Sequence, residues 1–320
     1  MNSNKDLSII IRAFNEEKHI QKLLEEIRRQ KSSYKFEIIL VDSGSTDKTV
    51  DIAKSFDVVL VQIQPQDFSF GYSLNKGIER STSKYCAIIS AHCYPKNQNW
   101  IENLISPFKN ENVALVYGKQ RGTNSTRYAE QQIFAKWFPE ESIDDQHHPF
   151  CNNANAAIRR SVWKETKYDE NLTGLEDVQW ATEILSKGYK IVYAAEASIV
   201  HIHEESNQQI FRRYKREAIA FKKLFSGEKF SILKFFHLLV MHIIGDYVHA
   251  FQDKELVKNI CEIPIFRFMQ FWGTYRGYRY KDLISDDFRR RFYYPRNPEI
   301  FNTLKKRKKI AKRGITSEQV

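Results

Sequence analysis

The chain has 320 residues, 42% of them hydrophobic, enough for one large domain or a domain with a sizeable appendage; its 50 Lys and Arg against 39 Asp and Glu give +11 and favour anionic partners. Four cysteines, Cys86, Cys93, Cys151 and Cys261, form no C-x-x-C pair and no short His/Cys cluster, which argues against a disulfide scaffold or a zinc ribbon and for reduced thiols. The opening MNSNKD enters an apolar run without a charged-then-apolar leader, so secretion is not expected and a cytoplasmic setting is.

In chain order, residues 8–11 and 37–41 are short, β-branched and flanked by polar turns, as parallel strands buried on both faces require. Between them Ile20, Leu23, Leu24 and Ile27 recur at helical spacing, with Glu16, Glu17, Glu25 and Glu26 on other faces. Asn15 is the expected N-cap, placing the first acidic pair in the first turn. The unit reads as strand, helix, strand with a right-handed crossover. Its polar loops, 12–17 and 42–47, leave the carboxyl ends of the strands, where open α/β sheets bind ligands. Neither loop holds a glycine-rich phosphate cradle. Both hold carboxylates, Glu16, Glu17, Asp42 and Asp47, which suit the donor groups of a base or ribose better than phosphate.

Further along, a helix over 49–56 and a strand over 58–61 precede alternating Phe68, Phe70 and Tyr72 and a helix over 73–80. Gly77 there suits close helix packing as well as a sequence element of its own. A strand over 86–89 ends in Ser90-Ala91-His92-Cys93, a helix covers 100–108, and a strand over 113–118 leads to Lys119 and Arg121. Residues 123–150 are aromatic and irregular, residues 150–158 are small and amide-rich, and a helix starts near Arg159. Glu176-Asp177 opens a helix carrying Val178, Ala181, Ile184 and Leu185. Two short strands, 189–193 and 197–200, lead to His201-Ile202-His203, whose two imidazoles share one face of an extended chain.

Composition changes after Ser206. FRRYKREAIAFKKLF is a basic amphipathic helix, and FSILKFFHLLVMHIIGDYVHAF is apolar but interrupted by Lys234, His237, His242, Asp246 and His249. Those interruptions argue for a helix lying in a membrane plane or packed on the domain rather than spanning a bilayer. The aromatic, Arg-rich FRFMQFWGTYRGYRY and the basic KKRKKIAKR contain no nucleic-acid module, so no nucleic-acid partner is expected. The division expected is residues 1–206 as the catalytic domain and 207–320 as a helical, basic, aromatic region for membrane-surface or oligomer contacts.

The pairing of IIIRAFNEE with EIILVDSGSTDKTVDIA, followed by the Asn75-Lys76-Gly77 element and by Glu176-Asp177, resembles the inverting family-2 glycosyltransferases of GT-A fold. The resemblance implies a Rossmann-like, mixed but mainly parallel sheet between helices, followed by the mostly helical C-terminal region. It assigns nucleotide contacts to Ala13, Glu16, Asp42, Ser43, Asn75, Lys76, Ser90 and Ala91, and sugar or acceptor contacts to Asn153 and Asn155. It makes Asp177 the catalytic base, with Glu176 positioning a hydroxyl or the helix start. The family's D-x-D motif, which holds Mg²⁺ or Mn²⁺ on the donor diphosphate, is replaced by Ser90-Ala91-His92. A divalent metal then rests on His92 with the late His203, or imidazole and basic groups neutralise the diphosphate without one.

The implied reaction moves one sugar from a nucleotide-diphosphate sugar to a hydroxyl of a glycan or lipid-linked glycan, in capsule or lipopolysaccharide O-antigen synthesis. The motif set is similar to the rhamnosyltransferase-like branch, and without Q-x-x-R-W or a multi-span channel single addition is expected over processive synthesis. The setting implied is cytoplasmic, peripheral to the inner face of the plasma membrane. Two competing readings are an inactive GT-A module that binds sugar nucleotide or partner enzymes, and a nucleotidyltransferase, whose basic glycine-rich signature loop is missing from residues 12–17.

Overall fold

The computed structural model describes residues 5–280; the basic KKRKKIAKR segment lies outside them. The chain begins β1 (Leu7–Ala13), α1 (Ile20–Arg28), β2 (Phe36–Asp42), α2 (Thr49–Lys54), β3 (Val59–Gln62), α3 (Phe70–Arg80) and β4 (Tyr85–Ser90). It continues through β5 (Cys93–Pro95), α4 (Trp100–Ile105), β6 (Val113–Arg121), α5 (Tyr128–Trp137), β7 (Ile143–Gln146), β8 (Asn155–Arg159), α6 (Arg160–Glu165), α7 (Glu176–Ser186) and β9 (Lys190–His201). Helices alone follow: α8 (Asn207–Leu224), α9 (Ile232–Gln252), α10 (Leu256–Asn259) and α11 (Glu262–Tyr278).

The strands form one mixed sheet in the order β3-β2-β1-β4-β8-β6-β9-β5, with β7 on β9. β1, β2, β3 and β4 are parallel, and Ala13 lies opposite Asp42 and Arg12 opposite Ser90, so their carboxyl ends finish together. β8 then runs antiparallel to β4, with Asn155 opposite Ile89. That reversal returns the segment preceding β8 to the edge where β1 and β4 end. A ligand site is expected at such a switch in an open α/β sheet.

The strand sequences explain the two-sided core. Ile9, Ile11, Leu40 and Ile89 face α1 and α4, where Ile20, Leu23, Leu24, Ile27, Trp100 and Leu104 are buried. Ile10, Ile39, Val41 and Ile88 face the other way, against Leu74 and Ile78 of α3, Trp163 of α6 and Trp180 of α7. Burying a side chain of this size is worth about 1.5–3 kcal/mol, so both apolar faces of the βαβ unit drive it to the centre of the sheet. Gly77 is needed for contact: a Cβ there would lie 2.6 Å from Ile10 Cγ2 and 2.9 Å from Val41 Cγ2.

Several local expectations change. Asn15 has φ 55° and turns the chain instead of capping it, because its side chain accepts a hydrogen bond from the Thr46 amide at 2.8 Å. The helix starts one turn later, leaving Glu16 and Glu17 in the loop. The irregular stretch after residue 123 contains α5, whose Tyr128, Ala129, Glu130 and Phe134 are buried. The two short strands near the histidines are one strand, β9, paired to β6 through a register shift between Gly118 and Gln120.

In the helical region, Gly273 and Gly277 of α11 lie directly on α8; Cβ atoms there would stand 2.5 Å from the Phe211 carbonyl and 2.6 Å from that of Lys215. α9 is joined to α11 by a buried, two-pronged ion pair, Arg267 to Asp246, at 2.7 and 2.8 Å. α9 is long and apolar enough to cross a membrane by length and composition, and only 11% of its most apolar window is buried within the protein.

Candidate active site

A cleft of about 630 Å³ opens where β1 and β4 end, lined by Arg12, Glu16, Ser90, His92, Asn153, Glu176, Asp177, His201 and His203 among others. Its floor is the start of α7. Leu175, which caps that helix, has φ 59°, a left-handed conformation that an L side chain adopts at a cost of roughly 1–2 kcal/mol. Such strain persists where surrounding structure enforces it. The two acids that follow Leu175 are held by Asn153, whose backbone N–H donates to Asp177 Oδ2 at 3.2 Å and whose Nδ2 donates to Glu176 Oε1 at 3.3 Å. Burial, and then the Glu176 carboxylate, push Asp177 up to about 7, in the range of a general base at neutral pH.

Arg12, from the end of β1, lies 3.7 Å from Glu176 Oε1 and stacks its guanidinium 4.9 Å from the Phe70 ring centre. Its Nε and Nη1 are buried without a hydrogen-bond partner among the described residues. Those donors suit an anion in the cleft.

The imidazoles come together because β5 pairs antiparallel with β9, setting Cys93 opposite His201, while the Ile202 amide donates to the His92 carbonyl at 3.1 Å. His92 and His201 stack at 5.1 Å between ring centres, and Nε2 of His201 is 2.9 Å from Nε2 of His203. One ring nitrogen from each of the three lies within 4.8 Å of the other two. Each Nδ1 faces an oxygen: Glu16 Oε1 for His92 at 2.8 Å, Gln120 Oε1 for His201 at 2.8 Å, and Glu130 Oε1 for His203 at 2.7 Å. Burial, then the other two imidazoles, hold His201 well below its ordinary pKa, so its ring is neutral. Burial alone would raise Glu130, but Arg213 and His203 outweigh it and bring the carboxyl down to about 2. Glu130, His203 and Glu205 form a second group with metal-ligand spacing, but Arg213 of α8 pairs with both carboxylates, at 2.6 and 2.8 Å.

The other expected residues separate into cleft and scaffold. Glu16, Ser90, His92, Asn153, Glu176, Asp177 and His203 line the cleft. Ala13 and Ala91 are buried strand-end residues beside it. Asp42 is buried and accepts from the amides of Gly44 and Ser45 in its own loop, at 3.1 and 3.2 Å, and the Ser43 amide bonds the Ala13 carbonyl. Asn75 is saturated by Trp163, Glu170 and the backbone of Tyr168, while neighbouring Lys76 pairs with Glu79 at 3.3 Å. Asn155 bonds Trp100 and the carbonyls of Lys119 and Ala197, a buried bridge between strands. Lys119 and Arg121 both pair with Glu140. Sequence reasoning did not select Arg12, His201, Gln120, Glu130 or Arg213. Only the H-x-H spacing pointed to any of them; the rest are brought in by strand pairing and by α5 and α8.

A second, apolar cavity of about 1040 Å³ adjoins the cleft, with Leu175 and Asp177 in the walls of both. Phe134, Trp137 and Phe150 line one side, Phe221, Met241 and Phe271 of the C-terminal helices the other.

Residues 8–166 match the family model described as Glycosyl transferase family 2. An O-antigen chain rhamnosyltransferase, WbaN of Salmonella anatum, is 30% identical over 189 residues, 56% of this chain and 60% of that protein. Another, RfbN of Salmonella typhimurium, is 27% identical over 65% of this chain and 70% of that protein. The match thus spans less than two thirds of the first relative's length. Among solved structures, the mannosyltransferase PcManGT from Pyrobaculum calidifontis, in complex with GDP-Man and Mn²⁺, superposes with a TM-score of 0.57 at 16% identity, covering 87% of this chain and 85% of that one.

Proposed function

We propose that this chain, which belongs to glycosyl transferase family 2 and has the GT-A arrangement of sheet and helices, transfers a single sugar from a nucleotide-diphosphate sugar to a hydroxyl acceptor with inversion, in surface-polysaccharide synthesis of the O-antigen type. The observation that carries this reading is Asp177. Its carboxylate stands between a polar cleft and an apolar cavity, oriented by Asn153, with burial holding its pKa near the working range. On this reading the donor enters from the strand-end loops, with Arg12 facing its phosphates. The acceptor hydroxyl arrives from the apolar side. Asp177 takes the hydroxyl proton as the oxygen attacks the anomeric carbon from the face opposite the leaving diphosphate, and one displacement inverts that carbon.

The assigned divalent-metal role fits the residues present: three imidazoles at the cleft, with their outer nitrogens already oriented. His92 and His203, with His201, would hold the ion, which when bound would offset charge on the departing diphosphate. The apolar cavity beside the base supports an acceptor with a lipid or other apolar portion, and the region after Ser206 is then a peripheral membrane contact.

The replacement of D-x-D by Ser90-Ala91-His92 favours one second reading, an inactive module that binds sugar nucleotide. Incubation with a panel of nucleotide sugars and lipid-linked glycan acceptors, following nucleoside diphosphate release, separates the two. Asp177→Asn should lower turnover by roughly 10²- to 10⁴-fold while nucleotide binding by thermal shift persists. Turnover unchanged by that substitution would remove Asp177 as base, and nucleotide binding without turnover on any acceptor would favour the inactive module.

A further inference from the structure

We infer that His92, His201 and His203 form a three-imidazole centre selective for a borderline divalent cation such as Zn²⁺ or Co²⁺ over Mg²⁺, with Glu16, Gln120 and Glu130 as the residues that orient it. The inference rests on the proposed glycosyl transfer for its use, but its evidence is geometric. Each Nδ1 lies against an oxygen, a carboxylate for His92 and His203 and, for His201, the Gln120 amide oxygen, whose own Nε2 is buried without a hydrogen-bond partner among the described residues. Such an acceptor keeps the proton on Nδ1, leaving the lone pair on Nε2. In those tautomers the 2.9 Å approach of His201 Nε2 to His203 Nε2 sets lone pair against lone pair. No hydrogen then joins the two rings, and with a third ring nitrogen within 4.8 Å a cation would complete the set.

Nitrogens around a tetrahedral ion with bonds of about 2.0–2.1 Å stand roughly 3.3–3.4 Å apart, so the 2.9 Å pair has to open by a few tenths of an ångström, and the third nitrogen lies within 4.8 Å of both. Imidazole suits borderline metals, whereas Mg²⁺ favours oxygen ligands and gives up its waters reluctantly. Neutral ligands also matter for the substrate. Two carboxylates would cancel the charge of a divalent ion, while three imidazoles leave it available to a diphosphate in the open cleft.

Untagged protein, stripped with chelator and dialysed against each ion, is the material for the test, with bound metal measured by elemental analysis and Co²⁺ by its visible absorption. The expected result is one equivalent of Zn²⁺ or Co²⁺ per chain, a Co²⁺ spectrum of nitrogen-ligated four- or five-coordinate form, and little retention of Mg²⁺. His203→Ala and the half-exposed His92→Ala should abolish retention. Gln120→Leu and Glu130→Gln should weaken it by roughly 10- to 100-fold. Circular dichroism identifies any variant that has not folded, and His92→Ala, at a partly exposed position, keeps the test decisive.

No retained borderline ion, or Mg²⁺ held as well as Zn²⁺, overturns the inference. That outcome would mean that the Gln120 amide presents its NH₂ to His201, whose Nε2–H then donates to His203. Nucleoside diphosphate binding measured in EDTA on the same samples keeps the two questions apart: binding without metal would leave the glycosyltransferase reading standing while this centre fails.

Discussion

On the proposed reading Asp177 carries the chemistry, and its burial carries a cost to stability. Because burial and Glu176 push it up to about 7, the ionised base accumulates only as pH rises through that value. The rate kcat/KM should therefore climb with pH and level off above about 8. The linkage has the opposite sign. A carboxyl whose folded pKa exceeds its unfolded value of about 3.9 contributes stability at low pH that is lost as pH rises through the folded value. Asp177→Asn cannot ionise, so its Tm relative to the parent should increase from about pH 4 to pH 7 and then hold constant. Melting curves of the two proteins across that range check this, and a difference independent of pH would remove the raised pKa. Arg12 and Asn153 show the same economy of placement, one facing the cleft with unbonded donors and the other holding both acidic residues of the α7 start.

Among the elements, the C-terminal helices complete the site from outside the sheet. Arg213 of α8 locks Glu130 of α5, and Glu130 in turn orients His203 after β9, so three separate elements meet at one carboxylate. The helices are themselves tied together by Asp246 and Arg267, whose side chains are 6% and 3% exposed. Removing one partner of a buried pair strands the other charge, so Asp246→Ala should destabilise the fold by about 3–5 kcal/mol, measured by urea unfolding. A loss under 1 kcal/mol would show that water reaches Arg267.

Across the whole molecule, Leu233, Phe236, Val240, Ile244, Val248 and Phe251 form an exposed stripe along α9, and the full sequence carries a net charge of +11. On the proposed reading this stripe meets an anionic bilayer and leads an amphiphilic acceptor toward the cavity that ends at Asp177. Sedimentation with phosphatidylglycerol vesicles should carry the protein down at low salt, and the double substitution Phe236→Glu, Ile244→Glu should release it; a soluble dimer seen by light scattering instead would assign the stripe to a second copy.

The βαβ opening, the loops at its carboxyl end and Glu176-Asp177 at a helix start are legible in the order of amino acids alone, since local periodicity and strand-end position are properties of neighbouring residues. That order equally marked Asn75 and Asn155, because a saturated scaffold amide and a ligand-binding amide look alike in one dimension. What holds each one is visible only in three dimensions, through partners about 90 positions away for Asn75 and across strands for Asn155. The gathering of His92, His201 and His203 depended likewise on an antiparallel pairing of β5 with β9, and the roles of Gln120, Glu130 and Arg213 on contacts of high sequence separation, which no local pattern encodes.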